Sequence, residues 1–264
     1  MPPFTACLVQ RAPVPYDKAG NLSLVLRTMD EARASGADLV LFPEMFLSGY
    51  LVKDQLAALA EPLDGPSLRA IGAHARDLGM GVLLGLPLRV DGHEKPHNAL
   101  VFLDRDGSVA GWSAKTHMFG GEERMFDPGD RLAAFDTSFG RVGLMICYDG
   151  EFPEVARTLA LDGAQLLCMC AANMSPFEDY HAVYMRARAM ENCVYGLYTN
   201  LVGDEKRFHY CGQSCAIGPD GRILAIADHD RPALLYCTVD LDTIPAADAP
   251  LRYRENRRPE LYRL

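Results

Sequence analysis

The chain has 264 residues, 49% of them hydrophobic and 23% charged, with a formal net charge of −9. That composition suits a soluble globular enzyme with length enough for a real core, and the acidic balance argues against nucleic acid or an anionic membrane as partner, since both need a concentrated basic face. No apolar run approaches the roughly 18 residues of a membrane span, and the start, MPPFTACLVQRAP, lacks the basic and long apolar regions of a secretory signal, so a cytosolic protein is expected.

In chain order, TACLVQ (5–10) reads as a short buried strand. Asn21 to Ala34 has helical apolar spacing at Leu22, Leu24, Val25, Met29 and Ala32, with Ser35-Gly36 as the stop. ADLVLFPE (37–44) is a continuous apolar strand ending on a carboxylate. Pro66 to Leu78 is a helix with Pro in its first turn and Gly79 at its end, and GVLLGLPL (81–88) is another buried strand. ALVFLDRDGSVAGWSAK (99–115) is two strands joined by Asp106-Gly107, a hairpin signal.

The texture then repeats. RVGLMIC (141–147) is a strand, Pro153 to Leu161 a helix, AQLLCMC (164–170) a strand and Tyr180 to Asn192 a helix. Strand-like runs at 193–200 and 213–217 follow, with a second hairpin turn at Asp220-Gly221, and ALLYCTVDL (233–241) closes the core. One supersecondary unit is used twice, without a sequence repeat at fixed period. Continuous apolar strands need cover on both faces. The expected fold is α/β: a four-layer α-β-β-α sandwich with two central mixed β-sheets, in a single domain over 1–264. The basic tail LRYRENRRPELYRL (251–264) is expected at a subunit interface.

Of the eight cysteines, Cys7, Cys168, Cys170, Cys193 and Cys237 sit in apolar or β-branched runs, where thiols behave as small buried hydrophobes in a reducing compartment. Cys168 and Cys170 are not a CxxC pair, and Cys211 and Cys215 have no further pair to complete a tetrahedral set. No metal site is expected.

Three residues stand just past buried apolar runs: Glu44 after LVLFP, Lys115 after WSA and Cys147 after VGLMI. Ligands gather at the carboxyl ends of strands in α/β sheets, so these three could share one pocket. Each also has a plainer reading: a loop carboxylate, a solvated strand-end charge, an inert core thiol.

The combination is more specific. The segments LVLFPEMFLSGY, KTHMFGGEERMFDPGD and GLMICYDGEFPEVAR, followed in order by AANMSP and RARAMEN, resemble the nitrilase, or carbon–nitrogen hydrolase, superfamily across nearly the whole chain. The resemblance implies a sandwich fold and a Glu-Lys-Cys triad. Cys147 is then the nucleophile, Glu44 the general base, and Lys115 a donor to the oxyanion. The backbone N–H of Tyr148 is a second donor, and the helix opening near Pro153 adds its dipole. A second glutamate follows the lysine in the family; counted back from Pro128-Gly129 it is Glu122, with Glu123 the alternative.

Tyr50, Tyr148, Asn173 and Met174 are expected around the substrate. His117 reads as a histidine that packs beside or supports the lysine, Asp149 either as the holder of the nucleophile turn or as a plain turn carboxylate, and Arg188 with Glu191 as a surface or interface ion pair. Gly150 and His97-Asn98 bear on the shape of the acyl pocket. The implied activity is hydrolysis of a small or medium carboxamide to acid and ammonia, without cofactor. N-carbamoyl cleavage and nitrile hydrolysis are the related alternatives, a catalytically silent scaffold is the non-enzymatic one, and a glutaminase would need a partner in trans. The family habit of pairing through helices beside the site implies a homodimer or higher assembly through RARAMEN and the tail.

Overall fold

The computed structural model describes residues 1–52 and 55–263. The first half of the chain runs β1 (Phe4–Gln10), α1 (Lys18–Ala34), β2 (Leu39–Leu41), the short α2 (Leu56–Leu59), α3 (Pro66–Leu78) and β3 (Gly81–Leu88). A hairpin of β4 (His97–Leu103) and β5 (Val109–Ala114) follows. The second half contains β6 (Ala134–Thr137), β7 (Gly140–Ile146), α4 (Pro153–Leu161), β8 (Leu166–Ala171), α5 (Tyr180–Asn192) and β9 (Tyr195–Asn200). β10 (Val202–Glu205) and β11 (Phe208–Cys211) pair by themselves. β12 (Cys215–Ile217), β13 (Ile223–Ile226), β14 (Ala233–Val239) and α6 (Ile244–Asp248) come last.

Two six-stranded mixed sheets result, ordered β14-β1-β2-β3-β4-β5 and β13-β12-β9-β8-β7-β6. Each has three parallel strands, one antiparallel strand on one flank and an antiparallel hairpin on the other. The repeated unit read from the strand pattern is thus a pair of like sheets. They differ in the flanking strand: β6 directly precedes β7, whereas β14 returns from the far end of the chain to pair with β1.

Strand parity sorts the layers. In β1, Ala6 and Leu8 join a cluster with Leu144, Ile146, Cys168 and Leu197 of the other sheet. Cys7 and Val9 face the opposite way, onto Val25 and Met29 of α1 and Ile71 and Ala75 of α3. α4 and α5 cover the second sheet through Val155, Leu159, Met185 and Ala189. Each fully buried Leu, Ile or Met in these layers contributes about 1.5–3 kcal/mol of transfer free energy. The order is helix, sheet, sheet, helix.

Several boundaries differ from those read in the sequence. α1 starts three residues before Asn21, because the Asp17 carboxylate accepts the Gly20 N–H and caps the helix there. The strand expected over 37–44 spans only Leu39–Leu41, so Glu44 lies in the loop beyond it. Cys193 is the left-handed cap of α5 (φ 51°) rather than the start of β9. The β10–β11 hairpin was not anticipated. Among the described residues, no helix is long and apolar enough to cross a membrane.

Candidate active site

The Glu44 loop leaves β2 and crosses to the other sheet, where the Glu44 N–H reaches the Ala171 carbonyl at 3.4 Å. It passes so close to β3 that a Cβ on Gly85 would lie 2.4 Å from the Pro43 oxygen and 2.8 Å from the Glu44 Cα. Only glycine fits beneath it. Glu44 itself is fully buried. Its Oε1 accepts from Asn98 Nδ2 at 2.7 Å and from Lys115 Nζ at 3.0 Å, and its Oε2 accepts the Ala172 N–H at 2.8 Å. Residues within or just past strands of both sheets therefore grip one carboxylate.

Lys115 directly follows β5. Its backbone is held on both sides, the N–H by the Asn98 carbonyl and the C=O by the Gly129 N–H, each at 2.8 Å. The buried ammonium sits between two carboxylates, 3.0 Å from Glu44 Oε1 and 2.8 Å from Glu122 Oε2. Glu122 in turn accepts the Tyr50 hydroxyl (2.7 Å) and the Phe119 N–H (2.9 Å). The structure brings Glu122 and not Glu123 to the lysine; the Glu123 side chain is exposed.

Cys147 follows β7 with a left-handed backbone (φ 50°) and opens a 3₁₀ turn, Cys147–Glu151. For a non-glycine residue that conformation costs about 1–3 kcal/mol, so its surroundings must enforce it. Asp149 does so from within the turn. Its carboxylate accepts the Ile146 N–H (3.2 Å), the Thr116 N–H (3.1 Å) and the His117 N–H (2.9 Å). From outside, the buried Arg188 donates to the Gly150 carbonyl (3.1 Å) and the Glu151 carbonyl (2.8 Å). Arg188 also meets Glu191 at 3.2 Å, but the surface or interface ion pair expected there is a brace under the Cys147 turn. The amide that follows Cys147 belongs to this 3₁₀ turn, so α4, which starts only at Pro153, is not the nearest helical end.

Burial sets the electrostatics. Removal from water pushes the Glu44 carboxyl up, and Lys115 pulls against it. The Cys147 thiol is pushed well up by burial and by the Glu44 charge, against Lys115 and the Ala172 amide, so it rests as a neutral thiol. For Lys115 burial alone lowers the pKa, but the anionic groups around it win and keep it a firm cation. Burial likewise keeps the Tyr50 hydroxyl protonated, as a donor to Glu122 must be. A neutral thiol beside a carboxylate of raised pKa and a fixed ammonium can exchange a proton and stabilise a nearby oxyanion.

Cys147 opens onto a cavity of about 210 Å³ lined by Phe119, Tyr148, Glu151, Asn173, Met174, Phe177, Tyr180 and His181. Tyr148, Asn173 and Met174, expected around the substrate, line this cavity. Tyr50 does not: its hydroxyl is committed to Glu122 and it is not part of the lining. The His97-Asn98 pair splits by strand parity: Asn98 meets Glu44, while the His97 ring turns away to the Asp127 carbonyl and Trp112. Gly150 faces the Met169 sulfur of β8 and not the cavity. His117 stacks on Phe152 at 3.9 Å and contacts Asp149, a packing role. Phe119, Glu151, Phe177, Tyr180 and His181 were missed; the aromatic and histidine spacing over 177–181 is the one sequence signal, and it covers only the last three. Among the described residues, no cluster of three or more His, Cys, Asp or Glu side chains could hold a metal ion.

Comparison with known proteins agrees with this geometry. A hydrolase of Pseudomonas protegens, named for its position in the pqqF 5′ region, is 43% identical over 97% of this chain and 89% of its own length. An (R)-stereoselective amidase from Pseudomonas sp. is 36% identical, covering 95% of this chain and 90% of its own. The solved structure of an amidase variant from Nesterenkonia sp. AN1, with the acetamide moiety of fluoroacetamide added covalently at its active-site cysteine, matches with a TM-score of 0.86 at 29% identity, over 98% of this chain and 95% of that one. The family model described as Carbon-nitrogen hydrolase matches residues 5–249, and the chain belongs to that family of enzymes.

Proposed function

We propose that this carbon–nitrogen hydrolase cleaves a small or medium carboxamide to carboxylic acid and ammonia through a thioester on Cys147. The observation that carries the reading is the Lys115 ammonium held between Glu44 and Glu122 beside a cavity onto which Cys147 opens. Glu44 takes the thiol proton as sulfur attacks the amide carbon. The oxyanion of the tetrahedral intermediate is met by Lys115 Nζ and the Tyr148 N–H. Collapse breaks the C–N bond, and Glu44 returns its proton to the departing ammonia. Glu44 then deprotonates a water that attacks the thioester, releasing the acid and restoring the thiol. Glu122, held by Tyr50, orients Lys115 and shares its charge, so that the dry pocket carries no unpaired ion.

The amidase names of the Pseudomonas and Nesterenkonia relatives support an amide substrate. The eight free buried thiols support a reducing, cytosolic setting. Exposed Val183 and Met190 on α5, and Leu261 and Tyr262 in the tail, support a homo-oligomer built on these surfaces.

Intact-protein mass spectrometry after brief mixing with small amides, N-carbamoyl amino acids and nitriles tests the reading. The expected result is an acyl adduct from amides, absent from Cys147→Ala. Ammonia released by Cys147→Ala at the wild-type rate would overturn the mechanism. An adduct from nitriles alone would overturn the substrate class.

A further inference from the structure

Resting on that amide-hydrolase reading, we infer that Glu151, backed by His181, binds a cationic amino group on the acyl side of the substrate. Both residues line the cavity that holds Cys147. His181 is 1% exposed, with Nδ1 3.3 Å from the Tyr198 hydroxyl. Its Nε2 has no hydrogen-bond partner, although Glu151 Oε1 lies 3.4 Å away. That separation is too long for a good hydrogen bond. A buried imidazole nitrogen without a hydrogen bond and a partly open carboxylate thus lie within ion-pair distance of each other in the cavity lining.

The walls fit the same ligand chemistry. Phe119 packs edge-on against Tyr148 (5.5 Å) and Phe177 (6.1 Å), and Phe177 against Tyr180 (5.3 Å). Aromatic faces beside a carboxylate attract an ammonium. Among the described residues that line the cavity there is no lysine or arginine, so a carboxylate-bearing acyl group would meet Glu151 without a cation to offset it. Glu151 ends the 3₁₀ turn that Cys147 begins. At about 2 Å rise per residue this separates the two backbone positions by roughly 8 Å. A carboxamide whose carbonyl meets the sulfur while its amine meets Glu151 needs a few methylenes between them.

The test uses three amides that share a four-methylene spacer: ω-aminovaleramide, hexanamide and the half-amide of adipic acid. Steady-state kcat/KM should favour the amine over hexanamide by at least roughly tenfold, the size of one charge-assisted hydrogen bond, with the half-amide poorest. In Glu151→Gln the amine-to-hexanamide ratio should fall to near one. A ratio unchanged in Glu151→Gln makes the Glu151–His181 contact merely structural and overturns the inference, as does equal use of all three amides by the native enzyme. Should Glu151→Gln fail to fold, calorimetric binding to Cys147→Ala decides: ω-aminovaleramide must bind at least about tenfold tighter than hexanamide, and equal binding overturns the inference. The two readings separate cleanly. Hexanamide cleaved with no amine preference sinks only the recognition site. Amine-selective binding to Cys147→Ala without turnover of any amide by the native enzyme sinks only the amide-hydrolase reading.

Discussion

Asp149 Oδ1 accepts the His117 backbone N–H at 2.9 Å, tying the turn that carries Cys147 to the segment that carries Lys115. The same oxygen takes the Thr116 hydroxyl at 2.7 Å, and the carboxylate also takes the amides of Thr116 and Ile146. Cys147 and the Lys115 ammonium, far apart in the chain, are thereby registered through a single side chain.

Asp149→Ala should therefore reduce stability and catalysis together. Leaving these donors without an acceptor costs on the order of 3 kcal/mol, and a loosened nucleophile turn lowers kcat by roughly a hundredfold. Asp149→Asn keeps one acceptor oxygen and should recover part of both. Urea unfolding and steady-state kinetics measure the two effects. A stable, fully active Asp149→Ala protein would show that the tie is dispensable.

Gly85→Ala should damage activity more than its size implies. The added methyl would press on the Pro43 carbonyl and the Glu44 Cα, both backbone atoms that cannot swing aside. We expect a loss in kcat on the order of a hundredfold through displacement of Glu44. KM should change far less, because Gly85 is not part of the cavity lining. A pure KM effect would contradict this reading.

The pH profile should carry the mark of Glu44. The base works only as carboxylate, and burial favours its neutral form, so kcat/KM should rise with pH through an apparent pKa above the ordinary 4.5. Asn98 donates to that carboxylate and lowers its pKa. Asn98→Ala should then move the acid limb further up in pH. A limb at or below the ordinary carboxylate value would remove Glu44 from the role of base.

Alkaline stability should be limited by the core thiols. Burial pushes Cys7, Cys215 and Cys237 up to about 12 from an ordinary 9.0. The folded chain keeps these protons while the unfolded chain releases them, so their contribution is complete below pH 9 and is lost between 9 and 12. Each retained proton lowers the unfolding free energy by about 1.4 kcal/mol per pH unit in that window. Urea unfolding at about pH 8 and about pH 10 should show the fall, and Cys237→Ala should show a shallower one whatever its absolute stability. An equal slope in both proteins would rule out this thiol as a source.

The positions of most buried strands, the helices over 66–78, 153–161 and 180–192, and the placement of Glu44, Lys115 and Cys147 beyond apolar runs were legible in the sequence, though the strand ends were not. Long apolar runs declare buried strands whatever surrounds them, and a polar residue just beyond such a run is conspicuous. Local chemistry also decided the 3₁₀ turn region, where Asp149 follows the nucleophile closely enough to cap its own turn. Tertiary structure decided the rest. Strand parity sent Asn98 to Glu44 and its neighbour His97 away. The crossing of the Glu44 loop over β3 put the Tyr50 hydroxyl on Glu122 instead of at the cavity. Packing of α5 against the nucleophile turn made Arg188 a brace and brought His181 to Glu151. Sequence spacing records which residues share a strand or a helix face; it does not record which elements from the two sheets meet, and the candidate site lies where they do.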